Sequence, residues 1–122
     1  MATIYLAARF ERQAELRVYR DRLRAAGHVL TSRWLDVTGK PPVPTDSAEY
    51  AQVDLDDIAH ARWFVLFTDD VPGRGGKDFE TGWALALGVP VRIVGPRVHV
   101  FHYLPAVTCY DTVAEFMAAM GA

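Results

Sequence analysis

The sequence holds a single cysteine, Cys109, and no asparagine at all. One cysteine excludes an internal disulfide and fits a reducing compartment. A basic excess is also missing. With a net charge of -2 the chain lacks the electrostatic footprint of a nucleic-acid binder. No apolar run is long enough for a membrane span. Arg9 cuts short the stretch Thr3-Ile4-Tyr5-Leu6-Ala7-Ala8, and no basic leader precedes it. A signal peptide and a membrane partner are therefore not expected, and the expected location is cytoplasmic. Internal repeats, low-complexity tracts and heptads are absent. Three motifs fail as well. Gly76-Lys77 is followed by Asp78, where a phosphate loop would have Ser or Thr. The first strand is followed by Ala7-Ala8-Arg9-Phe10 rather than a dinucleotide fingerprint. No Gly-x-Ser-x-Gly elbow exists for a nucleophilic serine.

What remains is a chain of 122 residues, about half of them apolar, enough for one domain spanning residues 1–122 with a real core. Ile4 to Leu6 reads as a first strand. Phe10 to Ala26 has helical periodicity, with Ala14, Val18, Leu23 and Ala26 as its apolar stripe and Gly27 as its stop. His28 to Ser32 reads as a second strand. From Trp34 to Thr45, Gly39, Pro41, Pro42 and Pro44 forbid a regular element, and the segment is either a lid or a surface loop. Asp46 or Ser47 then caps a helix with an apolar stripe of Ala51, Leu55, Ile58 and Ala59. Asp54 lies at the margin of that stripe, while Asp56 and Asp57 turn toward solvent.

Trp63 to Phe67 forms the third strand. Gly73-Arg74-Gly75-Gly76 leads into a helix from Asp78 to Leu87 that carries Glu80 in its first turn, and Val91 to Val94 follows as a fourth strand. His99 to Leu104 reads as a turn or short helix, and Ala106 to Tyr110 as a fifth strand. A last helix, capped by Asp111 or Thr112, docks Val113, Phe116, Met117 and Met120. Strands alternating with helices predict a doubly wound α/β fold, a flavodoxin-like three-layer sandwich with a mostly parallel four- or five-stranded sheet. Ligands in such folds bind beyond the carboxyl ends of the strands, which places the glycine loop and Glu80 at a pocket. Asp54 and Glu80 flank the same strand, and two carboxylates are the minimum equipment for cleaving a glycosidic bond. The rival metal set, His99, His102 and Cys109, matches no compact zinc spacing. Cys109 itself reads as a core residue.

Several blocks resemble the nucleoside 2-deoxyribosyltransferase superfamily, which includes the 2′-deoxynucleoside 5′-monophosphate N-hydrolases. They are Thr3 to Ala8, Val29 to Ser32, Asp54-Leu55-Asp56-Asp57-Ile58, the run Glu80-Thr81-Gly82-Trp83-Ala84-Leu85-Ala86-Leu87-Gly88-Val89-Pro90-Val91, and Val94 to Pro105. Short bacterial or phage-encoded members are the nearest in size. The resemblance implies Glu80 as the nucleophile at C1′, Asp54 as its helper at sugar and base, and Tyr5 as the tyrosine near the nucleophile of the transferases. It further implies small-molecule deoxynucleoside or deoxynucleotide substrates, a homodimer or higher homo-oligomer, and no metal or organic cofactor. The transferases' C-terminal asparagine has no counterpart here, and Arg62 stands where many members have aspartate. The expected substrate contacts are Ala7, Arg9, Phe10, Asp69, Gly73, Arg74, Gly75, Gly76, Lys77, Trp83 and His102, with Phe10, Phe79 and Trp83 as dry walls. The basic loop at Arg74 and Lys77 suits a 5′-phosphate and favours hydrolysis of a monophosphate. Tyr5 favours base exchange between deoxynucleosides instead; the basic loop carries more weight, so hydrolysis of the 5′-monophosphate is the main expectation and base exchange the alternative. A non-catalytic nucleotide-binding module and an interaction protein are the readings from other classes.

Overall fold

The computed structural model describes residues 1–37 and 47–122. Five strands, β1 (Thr3–Ala7), β2 (Val29–Leu30), β3 (Trp63–Phe67), β4 (Val91–Val94) and β5 (Thr108–Tyr110), form one sheet in the order β2-β1-β3-β4-β5. Every pairing is parallel. With helices on both faces this is a flavodoxin-like three-layer α/β sandwich.

Side chains alternate across the sheet with the two-residue period of a strand. Ile4 and Leu6 of β1 and Val65 and Phe67 of β3 pack under α1 (Gln13–Ala25) and α4 (Val113–Ala119). Tyr5, Ala7, Phe64 and Leu66 face the other way, toward α2 (Ser47–Ala59) and α3 (Gly76–Ala86). The central strands β1 and β3 are buried on both faces, which explains their continuous apolar runs. Thr112 caps α4, its hydroxyl accepting from Glu115 N at 3.1 Å. Among the described residues no helix is long and apolar enough to cross a membrane.

Several sequence expectations need correction. The buried stripe of α1 is Gln13, Leu16 and Leu23 with Tyr19 beside it, whereas Val18 is 57% exposed and Ala14 and Ala26 also face solvent. Gln13 is buried because its amide donates to the carbonyls of Trp34 and Val37 at 2.7 and 2.6 Å. In α2, Ala51 and Ala59 are exposed, and the inward residues are Ile58 and Asp57. Asp57 does not turn to solvent. Its carboxylate accepts from the backbone N–H of Arg33 at 3.0 Å and from the Arg33 guanidinium at 2.7 Å. Helix α3 begins at Gly76, so Glu80 stands in its second turn. The second strand shrinks to Val29–Leu30, because Ser32 leaves the ladder to accept from Leu6 N. Of the irregular segment, Arg33–Asp36 is a 3-10 turn, tied to α1 through Gln13 and Arg17. Thr38 to Asp46, with the lid expectation and the Asp46 cap, lie outside the described residues.

Candidate active site

The chain runs from β1 outward to β2, then back across β1 to β3, so the strand order reverses between β1 and β3. A crevice opens at such a switch point, at the carboxyl ends of the strands. A cleft of about 250 Å³ lies there. Its floor follows from the sheet's alternation. Tyr5 points toward α2 and α3, its ring stacked on Phe64 with centroids 5.6 Å apart. Helix α3 buries Ala84, and Glu80, one turn earlier on the same face, reaches the cleft. Helix α2 buries Ile58, and Asp54 occupies the matching position one turn earlier.

These three groups interact. The Tyr5 hydroxyl donates to Glu80, 3.2 Å from each carboxylate oxygen. Burial pushes the Glu80 carboxyl up to about 8; the charge of Asp54 adds to this and the Tyr5 hydrogen bond opposes it. Burial likewise raises Asp54 to about 6, aided by Asp57 and opposed by Arg33. Tyr5 is held well above its ordinary value by burial, then by Glu80 and Asp54. Two carboxyls whose environments separate them in this way hold one proton between them around neutral pH.

The walls come from four segments. Phe10 and Trp34, with ring centroids 6.2 Å apart, line the cleft together with Val37 and Tyr50. Trp34 is fixed by its indole N–H, which donates to Leu6 O at 2.7 Å. The glycine loop closes the opposite side with Gly73, Arg74, Gly75, Gly76 and Lys77. Gly75 has φ +94°, a left-handed conformation that glycine adopts without strain, and its carbonyl accepts from Asp78 N and Phe79 N to start α3. Lys77 Nζ lies 3.3 Å from Asp78. Arg74 has no hydrogen-bond or ion-pair partner among the described residues.

Other expected contacts lie elsewhere. Ala7 is buried in β1 behind Ala8, which lines the cleft in its place. Asp69 stands behind Arg9 and binds it rather than facing the cavity. Burial pushes the Asp69 carboxyl up, but the Val71 N–H and the two guanidiniums of Arg9 and Arg12 outweigh it and hold it below the usual range. Trp83 points out between the helices, its indole donating to Leu55 O at 3.3 Å. Phe79 is 74% exposed and forms no wall. His102 is buried beside a second cavity on the far side of α3, where its Nδ1 accepts from Val98 N. Burial, then His99, lowers its pKa. Cys109 is half-buried, its thiol donating to Gly95 O at 3.4 Å. Trp34, Val37, Tyr50 and Glu11 were missed as cleft residues. The tryptophan and tyrosine bracketing a proline-rich loop were the available signal.

No family model matches the sequence, and no curated protein matches it. Solved structures do. A 2-deoxyribosyltransferase from the psychrotolerant bacterium Bacillus psychrosaccharolyticus matches with a TM-score of 0.75 at 20% identity, over 98% of this chain and 96% of that one. The CMP N-glycosidase BcmB of Clostridium botulinum matches with a TM-score of 0.67 at 16% identity, over 98% and 99%. A conserved protein from Enterococcus faecalis V583 matches with a TM-score of 0.71 at 15% identity, over 99% and 98%. Over nearly its whole length, the chain is similar in fold to these three structures.

Proposed function

We propose that the chain breaks the N-glycosidic bond of a 2′-deoxynucleoside unit by moving the deoxyribosyl group onto Glu80, then hands it to a second base. The observation that carries this reading is the Tyr5 hydroxyl set 3.2 Å from both oxygens of Glu80, with Asp54 nearby on the adjacent helix. The Glu80 carboxylate attacks C1′ and forms an ester bond. The C1′–N bond breaks, its electron pair stays on the base nitrogen, and the carboxyl pair supplies the proton the base needs. An incoming base then attacks C1′, loses its proton to Asp54 and releases Glu80 as a carboxylate.

Binding transfers the shared proton between partners. In the empty cleft Glu80 is the more basic carboxyl. Positive charge developing at C1′ favours ionised Glu80, which moves the proton toward Asp54 and the leaving base. Tyr5 orients the nucleophile and stabilises its charged form. Phe10, Trp34 and Tyr50 offer apolar faces for a planar base and keep water from the intermediate. That wall supports exchange between bases.

Hydrolysis of a 5′-monophosphate is the second reading. It is supported by Arg74, which borders the cleft on the glycine loop and has no partner among the described residues. The test is incubation with each common deoxynucleoside and its 5′-monophosphate, with and without a second free base. New nucleoside formed only with an acceptor supports exchange. Free base from monophosphates without an acceptor supports hydrolysis. Tight binding of an intact nucleotide without any base release would overturn both.

A further inference from the structure

Asp54 lines the cleft half-buried and makes no hydrogen bond or ion pair among the described residues. Asp57, its neighbour three residues on along α2, is the opposite: it is 6% exposed and fully engaged. Its Oδ2 accepts from Arg33 N at 3.0 Å and from Arg33 Nε at 3.1 Å. Its Oδ1 accepts from Arg33 Nε and Nη2 at 2.9 and 2.7 Å. Its main-chain carbonyl accepts from the Thr31 hydroxyl at 2.9 Å. Helix α2 is thereby tied to the turn whose next residue, Trp34, walls the cleft. Asp56 takes no part: it is exposed and accepts from Gln52 at 2.9 Å.

A carboxylate buried like Asp57 needs a cation, and Arg33 supplies it from a separate element with its own side chain 61% exposed. Two opposite charges therefore stand beside a carboxyl that has no partner of its own. Asp57 opposes the ionisation of Asp54 and Arg33 favours it. The other titratable groups around Asp54 are Tyr5 from β1, Glu80 from α3, Tyr50 on α2 itself, and Arg9, Glu11, Arg74 and Lys77 lining the same cleft. None of these is hydrogen-bonded to Asp54 among the described residues. Only the Arg33–Asp57 pair is locked in one geometry next to it.

We propose that Arg33 and Asp57 are a positioning pair for Asp54: Asp57 holds the guanidinium beside the acid, and the two opposite charges together set the pH at which Asp54 ionises. Neither residue touches the substrate. The bearing of the pair on the reaction rests on the reading of Asp54 as the proton carrier.

Carbon-13 NMR titration of the side-chain carboxyls of the full chain reads Asp54 without substrate, its signal assigned by its loss in Asp54→Asn. Arg33→Gln should move the Asp54 midpoint up from about 6 by about half a pH unit. Asp57→Asn, which keeps an acceptor oxygen for Arg33, should move it down by at least as much. The Glu80 midpoint should stay near 8 in both, since its charged neighbour is Asp54 rather than the pair. A general loosening of the cleft would instead lower both acids, because burial raises both. The Arg33 side chain is exposed, so its variant keeps the fold even where Asp57→Asn does not. An Asp54 midpoint that stays in place in Arg33→Gln, or moves the same way in the two variants, would overturn the pair. In turnover, the acidic limb of the pH–rate profile should follow the Asp54 midpoint. Opposite midpoint shifts with an acidic limb that does not follow would uphold the pair's control of Asp54 and overturn Asp54 as the proton carrier.

Discussion

The hydroxyl of Tyr5 stands 3.2 Å from each carboxylate oxygen of Glu80, across 75 residues of sequence. Neither residue could sit there without the sheet's register. Tyr5 pairs with Phe64 in β3, and the two-residue period turns both rings toward the helices that carry Asp54 and Glu80. A buried tyrosine is thereby aimed at a half-buried acid.

Tyr5→Phe keeps the ring stack on Phe64 and removes only the hydroxyl. We expect kcat to fall about tenfold or more, because a donor to the charged form of Glu80 is lost. The bond opposes the upward shift of Glu80, so its removal moves the ionisation of Glu80 to higher pH. The alkaline limb of the pH–rate profile, which Glu80 sets, should shift to higher pH in the same sense. A profile and rate equal to wild type would deny Tyr5 its role.

With Asp54 at about 6 and Glu80 at about 8, the pair carries a single proton between those values. The rate should peak in that window, falling below it as both carboxyls are protonated and above it as neither holds a proton. Asp54→Asn removes a charge that raises Glu80, so the remaining titration should move below 8 and the alkaline fall should disappear. A bell-shaped curve that persists in Asp54→Asn would place the acid elsewhere.

The same shifts make the site costly to the fold. Glu80 titrates near 4.5 when unfolded and near 8 when folded, so its contribution favours the native state fully below about pH 4.5 and is lost as pH rises toward 8. Glu80→Gln should therefore raise stability by about 4 kcal/mol at pH 8 and by roughly nothing at pH 4.5. Melting temperatures of both proteins across this range check it. A difference independent of pH would contradict the burial of the charge.

Gly95 follows β4 with φ +120° and packs against Thr68 at the end of β3. A β-carbon there would lie 2.6 Å from the hydroxyl oxygen of Thr68 and 2.8 Å from its carbonyl. Gly95→Ala should destabilise the chain by about 3 kcal/mol, read as a lowered melting temperature. Since Thr68 directly precedes Asp69, the strain falls on the segment that braces Arg9. An unchanged melting temperature would show that Thr68 can yield.

The alternation of apolar strands and amphipathic helices made the layers legible, and the positions of Asp54 and Glu80 either side of β3 made the carboxylate pair legible. Hydrophobic periodicity failed where polar groups are buried with partners. Gln13 lies on the core side of α1 because carbonyls of a distant turn receive its amide, and Asp57 lies inward because Arg33 meets it. Nothing in the local pattern of either helix encodes those partners. The aromatic wall was misassigned for a related reason. Phe79 and Trp83 neighbour Glu80 in sequence, but a helix sends adjacent residues to different faces, and the aromatics that reach the cleft come from Phe10, Trp34 and Tyr50.

The central claim is a covalent bond between Glu80 and the sugar. The direct measurement is acid quenching of the protein during reaction with a deoxynucleoside or its 5′-monophosphate, followed by mass spectrometry of the intact chain and its peptides. The account predicts a gain of one deoxyribosyl unit, carrying its phosphate where the substrate has one, on the peptide that contains Glu80, and none in Glu80→Ala. An adduct on another residue, or near-normal base release by Glu80→Ala, would contradict it.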